Sequence, residues 1–163
     1  MNATELLDLL REFHRDKLTL RQRHVAAARL VGHYDFNNTY QYIIAREDVQ
    51  LNWLRDAIAD MGGEPADVPE PGLKASGKGD AALASIVGPD RDAARALVEK
   101  WRAPIDAVPN ARHRTMLRLT LGETLEHQRF FEQMLAGRSD LLGRRAEGAG
   151  TGGGVLSTRW LEQ

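Results

Sequence analysis

The chain reads as an all-α protein, a four-helix bundle of two antiparallel helical hairpins joined by a long crossover. Three observations predict it. Apolar residues recur at i, i+3 and i+4 along four long segments. Outside the loops there is little of the Val/Ile/Thr alternation that strands need. Glycine and proline cluster between the periodic segments rather than within strands. At 163 residues the chain is long enough for one domain with a real hydrophobic core.

The first helix is expected from a Thr4 cap through "ELLDLLREFHRDKLTLRQRHVAAARLVGH". Its stripe is Leu6, Leu10, Phe13, Lys17, Leu20, His24, Ala27 and Val31, with a bend near Lys17 to Thr19. "YDFNN" is expected to turn the chain, and the second helix, starting at Thr39, is ended by Gly62 and Gly63. From about 63 to 89 the sequence turns rich in Pro and Gly, which predicts the crossover, with a short helical stretch at "DAALASIV". Pro89 suits a first helical turn and is expected to open the third helix, which Pro104 kinks or ends. The fourth segment, "ARHRTMLRLTLGETLEHQRFFEQMLAG", closes at Gly137, so the bundle spans 1–137.

Composition narrows the chemistry. With 22 basic against 23 acidic residues there is no electrostatic footprint for nucleic acid or an anionic membrane. The sequence contains no cysteine, so disulfides, thiolate nucleophiles and iron–sulfur clusters are excluded, and any metal must rest on His, carboxylate and amide ligands. No apolar run approaches membrane-spanning length and the N-terminal stretch lacks an apolar signal core, which together predict no membrane insertion and a cytoplasmic location.

The informative residues are polar ones inside apolar stripes. On the second helix Glu47 and Gln50 interrupt a stripe running from Tyr40 to Met61. On the fourth, Glu123 and His127 interrupt a stripe running from Met116 to Met134. Residues four apart share a helix face, so Glu123 and His127 point the same way, with Glu126 at the margin. His24 lies about as far before the inter-helix turn as Glu47 lies after it, which predicts a common level for the two. A buried carboxylate needs a counter-charge, a metal or interior water. Imidazole and carboxylate donors converging from separate helices suit Fe, Mn or Zn. The same residues also fit a metal-free network, in which Glu47 pairs with His127, Arg46 or an arginine of helix one. His14, His33 and His113 are expected to be exposed, and Trp53, Trp101, Tyr40 and Tyr42 to be packing residues.

This arrangement resembles the ferritin-like superfamily, the rubrerythrin and bacterioferritin type of bundle, over roughly Thr4 to Ala136. That family takes one Glu from each of helices one and three and a Glu-x-x-His motif from each of helices two and four. Here helix two offers Glu47-x-x-Gln50, and helix four offers Glu123-x-x-Glu126-His127, with the histidine one residue late. Helix one offers His24 or Gln22, and helix three Asp92 or Glu99. The resemblance implies an iron site, mono- or dinuclear and with Mn or Zn as alternatives, on Glu47, Glu123, His127, Gln50 and His24. It implies oxidation of Fe(II) by oxygen or peroxide as the reaction class. The incomplete motifs equally suit a ferritin-like bundle without metal that serves as an accessory or adaptor subunit.

The C-terminal sequence is of another kind. Residues 138–154, ending in "EGAGTGGG", have the composition of a flexible linker, and 155–163, "VLSTRWLEQ", carry Val155, Leu156, Trp160 and Leu161 as a short apolar set. Tryptophan is a favoured interface anchor, so this segment is expected to dock on a partner protein or a neighbouring subunit of a homo-oligomer. It is similar in design to the tails that load ferritin-like cargo into encapsulin shells.

Overall fold

The computed structural model describes residues 1–142, which form four long helices. They are α1 (Ala3–Ala28), α2 (Tyr34–Asp60), α3 (Asp80–Asp106) and α4 (Ala111–Leu135). The bundle and its two hairpins are as expected; several boundaries differ. The cap of α1 is Asn2 rather than Thr4: its side chain accepts from the Glu5 amide while Glu5 reaches back to the Asn2 amide. The stretch 34–38, expected as a turn, is the first turn of α2, because the His33 ring nitrogen caps the Phe36 amide and Asn37 donates to the Ala28 carbonyl at 2.8 Å. The chain therefore reverses within 29–33.

The largest departure is in α3, which starts nine residues before Pro89 and carries both Pro89 and Pro104 inside it. A proline in a helix removes one hydrogen bond and crowds the preceding turn. Two things outweigh that here. Ile86 and Val87 are buried in the core on one side of Pro89, and Asp90 is anchored on the other, while Pro89 itself stands exposed. Packing on both flanks overrides local propensity, and the crossover shrinks to 61–79.

Helix directions follow from side-chain pairs. Asp90, in the first half of α3, meets Arg23 late in α1, whereas Lys100 and Trp101 meet Glu12 and Asp16 early in α1. Thus α3 runs antiparallel to α1. Likewise Tyr40 touches Phe131, and Arg46 pairs with Glu123, so α2 and α4 are antiparallel. Helices α2 and α3 are consequently parallel, and 61–79 must travel the length of the bundle. Its path is marked by Gln22 donating to the Val68 carbonyl at 2.7 Å, by the Arg29–Glu70 pair, and by Leu73 against the far core. At the start of this path Gly63 passes so close that a Cβ there would lie 2.7 Å from Leu7 Cδ1.

The core is divided. One apolar cluster gathers Leu10, Phe13, Leu54, Ile58, Trp101, Ile105 and Leu117 at the end where α1 begins. The other gathers Ala27, Val31, Phe36, Tyr40, Ile43, Val87, Phe131 and Met134 at the end where α1 stops. Between them lies a layer of buried polar side chains, and the fold positions the candidate site there. No helix among the described residues is long and apolar enough to cross a membrane.

Candidate functional site

Helices α1, α2 and α4 each send polar groups into the middle layer. Lys17, His24, Glu47, Gln50, Thr124 and His127 are all essentially inaccessible, and Glu123 is 6% exposed. Glu47 lies at the centre. Lys17 Nζ donates to its Oε1 at 3.0 Å and to Thr124 Oγ1 at 3.0 Å, and His24 Nδ1 lies 2.9 Å from its Oε2. Thr124 is itself fixed by donating to the Thr120 carbonyl at 2.8 Å, a back-bond within its own helix. Burial opposes ionisation of Glu47, but the charges of His24 and Lys17 beside it prevail and hold its carboxyl down at about 2. His24 and Glu47 do share a level, as their spacing about the turn predicts.

Glu123 sits at the rim of the same layer. Arg46 grips it through two nitrogens, Nη2 to Oε1 at 2.6 Å and Nε to Oε2 at 3.2 Å, and Gln50 Nε2 also donates to Oε2. A bidentate arginine of this kind is a strong, directional counter-charge. Gln50 and Glu123, grouped in one ligand set by the resemblance, thus meet directly across the bundle through the amide nitrogen, while among the described residues Gln50 Oε1 has no protein partner.

His127 feels the charges of Lys17, Glu47, His24 and Arg46, and among the described residues no group hydrogen-bonds either of its ring nitrogens. Burial first, then the positive charge of Lys17, pushes its pKa well below the ordinary histidine value, so the ring is neutral at pH 7. Glu123 and His127 share a helix face yet make no bond, since Glu123 is taken by Arg46 and Gln50. His24 Nε2 is likewise without a partner among the described residues.

A third buried carboxylate, which the sequence reading passed over in favour of Asp92 and Glu99, comes from α3. Asp90 Oδ2 accepts from the Tyr40 hydroxyl at 2.5 Å and Oδ1 from Arg23 Nε at 2.5 Å. Asp92 instead pairs with Arg91 at the surface, and Glu99 is exposed. Tyr40 thus packs on Phe131 and also binds a carboxylate. Burial dominates at Asp90 and raises its pKa, although His24, Tyr40 and Arg23 oppose the rise. His14, expected at the surface, is buried, its ring nitrogens without partners among the described residues, and burial together with Arg55 lowers its pKa.

The donor set as arranged does not fit a resident metal. Both oxygens of Glu47 face Lys17 and His24, and both of Glu123 face Arg46 and Gln50. Among the described residues no group of three or more His, Asp and Glu side chains converges as a cation site. Lys17 was visible in the sequence as an interruption of the α1 stripe, and its partner Thr124 carried no signal of its own. Val155, Leu156, Trp160 and Leu161 lie outside the described residues. No family model matches the chain, and no curated protein and no solved structure matches it.

Proposed function

We propose that this chain is a ferritin-like bundle in which the Lys17 ammonium, rather than a metal, supplies the positive charge of the core, and that it works as an accessory or adaptor subunit. The observation that carries the metal-independent half is the Lys17 Nζ position, 3.0 Å from Glu47 Oε1 and 3.0 Å from Thr124 Oγ1. A divalent cation at Glu47 would have to sit beside that ammonium in a low-dielectric interior, where like charges a few ångströms apart repel strongly. Each carboxylate of the layer already has a cation opposite it: Lys17 faces Glu47, and Arg46 faces Glu123. The adaptor half rests on the sequence 155–163, whose Val155, Leu156, Trp160 and Leu161 have the composition of a docking segment behind a glycine-rich tether.

The experiment is affinity capture with full-length protein and with a chain lacking residues 155–163, each assayed for partners in parallel. An adaptor captures a defined partner through the full chain and loses it on truncation. Equal capture by both, or by neither, overturns the reading.

A second reading is kept because of one specific observation. Among the described residues, His24 Nε2, both nitrogens of His127 and Gln50 Oε1 are buried lone-pair or N–H sites without partners in the same layer. Unpaired buried polar atoms are uncommon and call for an occupant. Iron, or Mn or Zn, held by Glu47, Glu123, His127, Gln50 and His24 after Lys17 releases Glu47 would be that occupant, with Fe(II) oxidation by oxygen or peroxide as the implied chemistry. Anaerobic reconstitution followed by elemental analysis decides it. Stoichiometric metal in wild type that disappears in Glu123→Ala and His127→Ala establishes a metal site; metal-free, folded protein removes it.

A further inference from the structure

Helix α3 runs unbroken through a joint that its own sequence opposes. Pro89 has no amide hydrogen, so the Ser85 carbonyl loses its helical donor there. Gly88 beside it is not demanded by packing, since a Cβ at that position would meet nothing within 4 Å. Residues 80–88 thus form an arm ahead of a Gly-Pro joint. The arm also starts weakly: Asn2, His33 and Asn110 each accept a first-turn amide of their helices, whereas among the described residues Gly79 brings α3 no such side-chain bond. The end of the crossover is tied to it, because Ser85 Oγ accepts from the Ser76 amide at 2.9 Å and donates to the Ala82 carbonyl at 2.7 Å. Two things hold the arm down. Ile86 and Val87 are buried in the cluster that contains Tyr40 and Phe131, and just past the joint Asp90 is bonded to Tyr40 of α2 and Arg23 of α1.

Beneath the arm lies one edge of the buried polar layer. The His24 ring packs on Tyr40 and Phe131, with centroids 6.1 Å and 5.2 Å away, and those two aromatics share their cluster with Ile86 and Val87. His24 itself is wholly buried, with Nε2 unpartnered among the described residues. We propose that residues 80–88 are a gate, swinging about Gly88 and Pro89 when Asp90 leaves Tyr40 and Arg23, and that its opening admits water and small solutes to the layer past His24. A helix that packing alone keeps straight across a proline has a broken arrangement close to it in free energy, and segments with few anchors are those that open locally. The Asp90 bonds reach two other helices, so their loss frees the joint from both at once. The inference goes beyond the adaptor and metal readings and holds under either, because it concerns how the layer is reached and not what neutralises it.

Two readouts on the full-length chain test this. Amide hydrogen exchange reads the joint: amides 84–88 should exchange at least about tenfold faster than those of 94–101 in the same helix, and Pro89→Ala, which restores the missing donor, should slow them. Leu54→Ala, in the cluster at the opposite end, should speed exchange at Leu117 and leave 84–88 unchanged, because the arm opens without global unfolding. Diethyl pyrocarbonate, which acylates an accessible imidazole nitrogen, reads the gate. His14 is the control, since it too is wholly buried with ring nitrogens unpartnered among the described residues, and it lies about 15 Å from His24 along α1. The initial rate at His24 should rise about tenfold in Asp90→Ala and fall in Pro89→Ala, with His14 responding to neither. Arm amides that exchange no faster than the rest of α3, or that follow Leu54→Ala, overturn the hinge. Rates at His24 and His14 that rise together overturn the gate. Where Asp90→Ala does not fold, Pro89→Ala decides: a folded variant with unchanged arm exchange and unchanged His24 acylation contradicts the proposal.

Discussion

Glu47 and Asp90 are both wholly buried carboxylates in the same bundle, yet their surroundings drive ionisation in opposite directions. Glu47 faces a buried ammonium at 3.0 Å and an imidazole at 2.9 Å, and its carboxyl is held at about 2 against the cost of burial. Asp90 faces a phenol and the guanidinium of Arg23, which is itself 23% exposed, and there burial wins. The lesson is that depth alone does not set the charge of a core carboxylate. A fully desolvated counter-charge outweighs the burial penalty, whereas one shared with solvent does not.

The largest effect expected from this contrast is that of Lys17→Met. Removing the ammonium leaves Glu47 without its principal partner, and breaking a buried pair in this way costs about 3–5 kcal/mol, read as a fall in the denaturant midpoint at pH 7. Next come the isosteric amides. Glu47→Gln should lower stability by about 2 kcal/mol, because Lys17 is left buried opposite a neutral group. Asp90→Asn should change it by less than about 1 kcal/mol, since the fold already disfavours the ionised form there. Equal losses in the two variants would abolish the distinction.

The pH profile sharpens the same comparison. Glu47 has a depressed carboxyl, so its contribution is present above its unfolded value of 4.5 and is lost as pH falls towards about 2. Asp90 is raised, so its contribution is present below 3.8 and is lost as pH rises through its folded value. His127 and His14 are lowered, which places the neutral ring in the fold; stability is full above 6.5 and declines as pH drops below that value. Urea titrations from pH 7 to pH 5 should therefore show declining stability in wild type and a flatter profile in His127→Leu. The smallest effect belongs to the surface. Asp106→Ala breaks the exposed pair with Arg118, and should shift stability by no more than about 0.5 kcal/mol.

Architecture was legible in the sequence where periodicity and glycine agreed, as along α4, whose start at Ala111 and terminal Gly137 match the helix as it stands. It was least legible at α3. Pro89 reads locally as a helix start, and only the burial of Ile86 and Val87 against the far core reveals that the helix begins at Asp80. Within the site, the level shared by His24 and Glu47 followed from their distances about the turn. The role of Lys17 did not, although the residue stood in the stripe, because a long amphipathic side chain on a helix usually extends its charge to solvent. Asp90 was missed for a related reason: it follows a proline that reads as a boundary, and its partners Tyr40 and Arg23 come from other helices.

The most direct measurement is a double-mutant cycle between Lys17 and Glu47, with stability determined for wild type, Lys17→Met, Glu47→Leu and the double variant at neutral pH. If the ammonium is the counter-charge of the layer, Lys17→Met alone is strongly destabilising and the double variant recovers much of the loss, giving a coupling of at least about 2 kcal/mol. Additive losses, with Lys17→Met no worse than an ordinary core truncation, would contradict it.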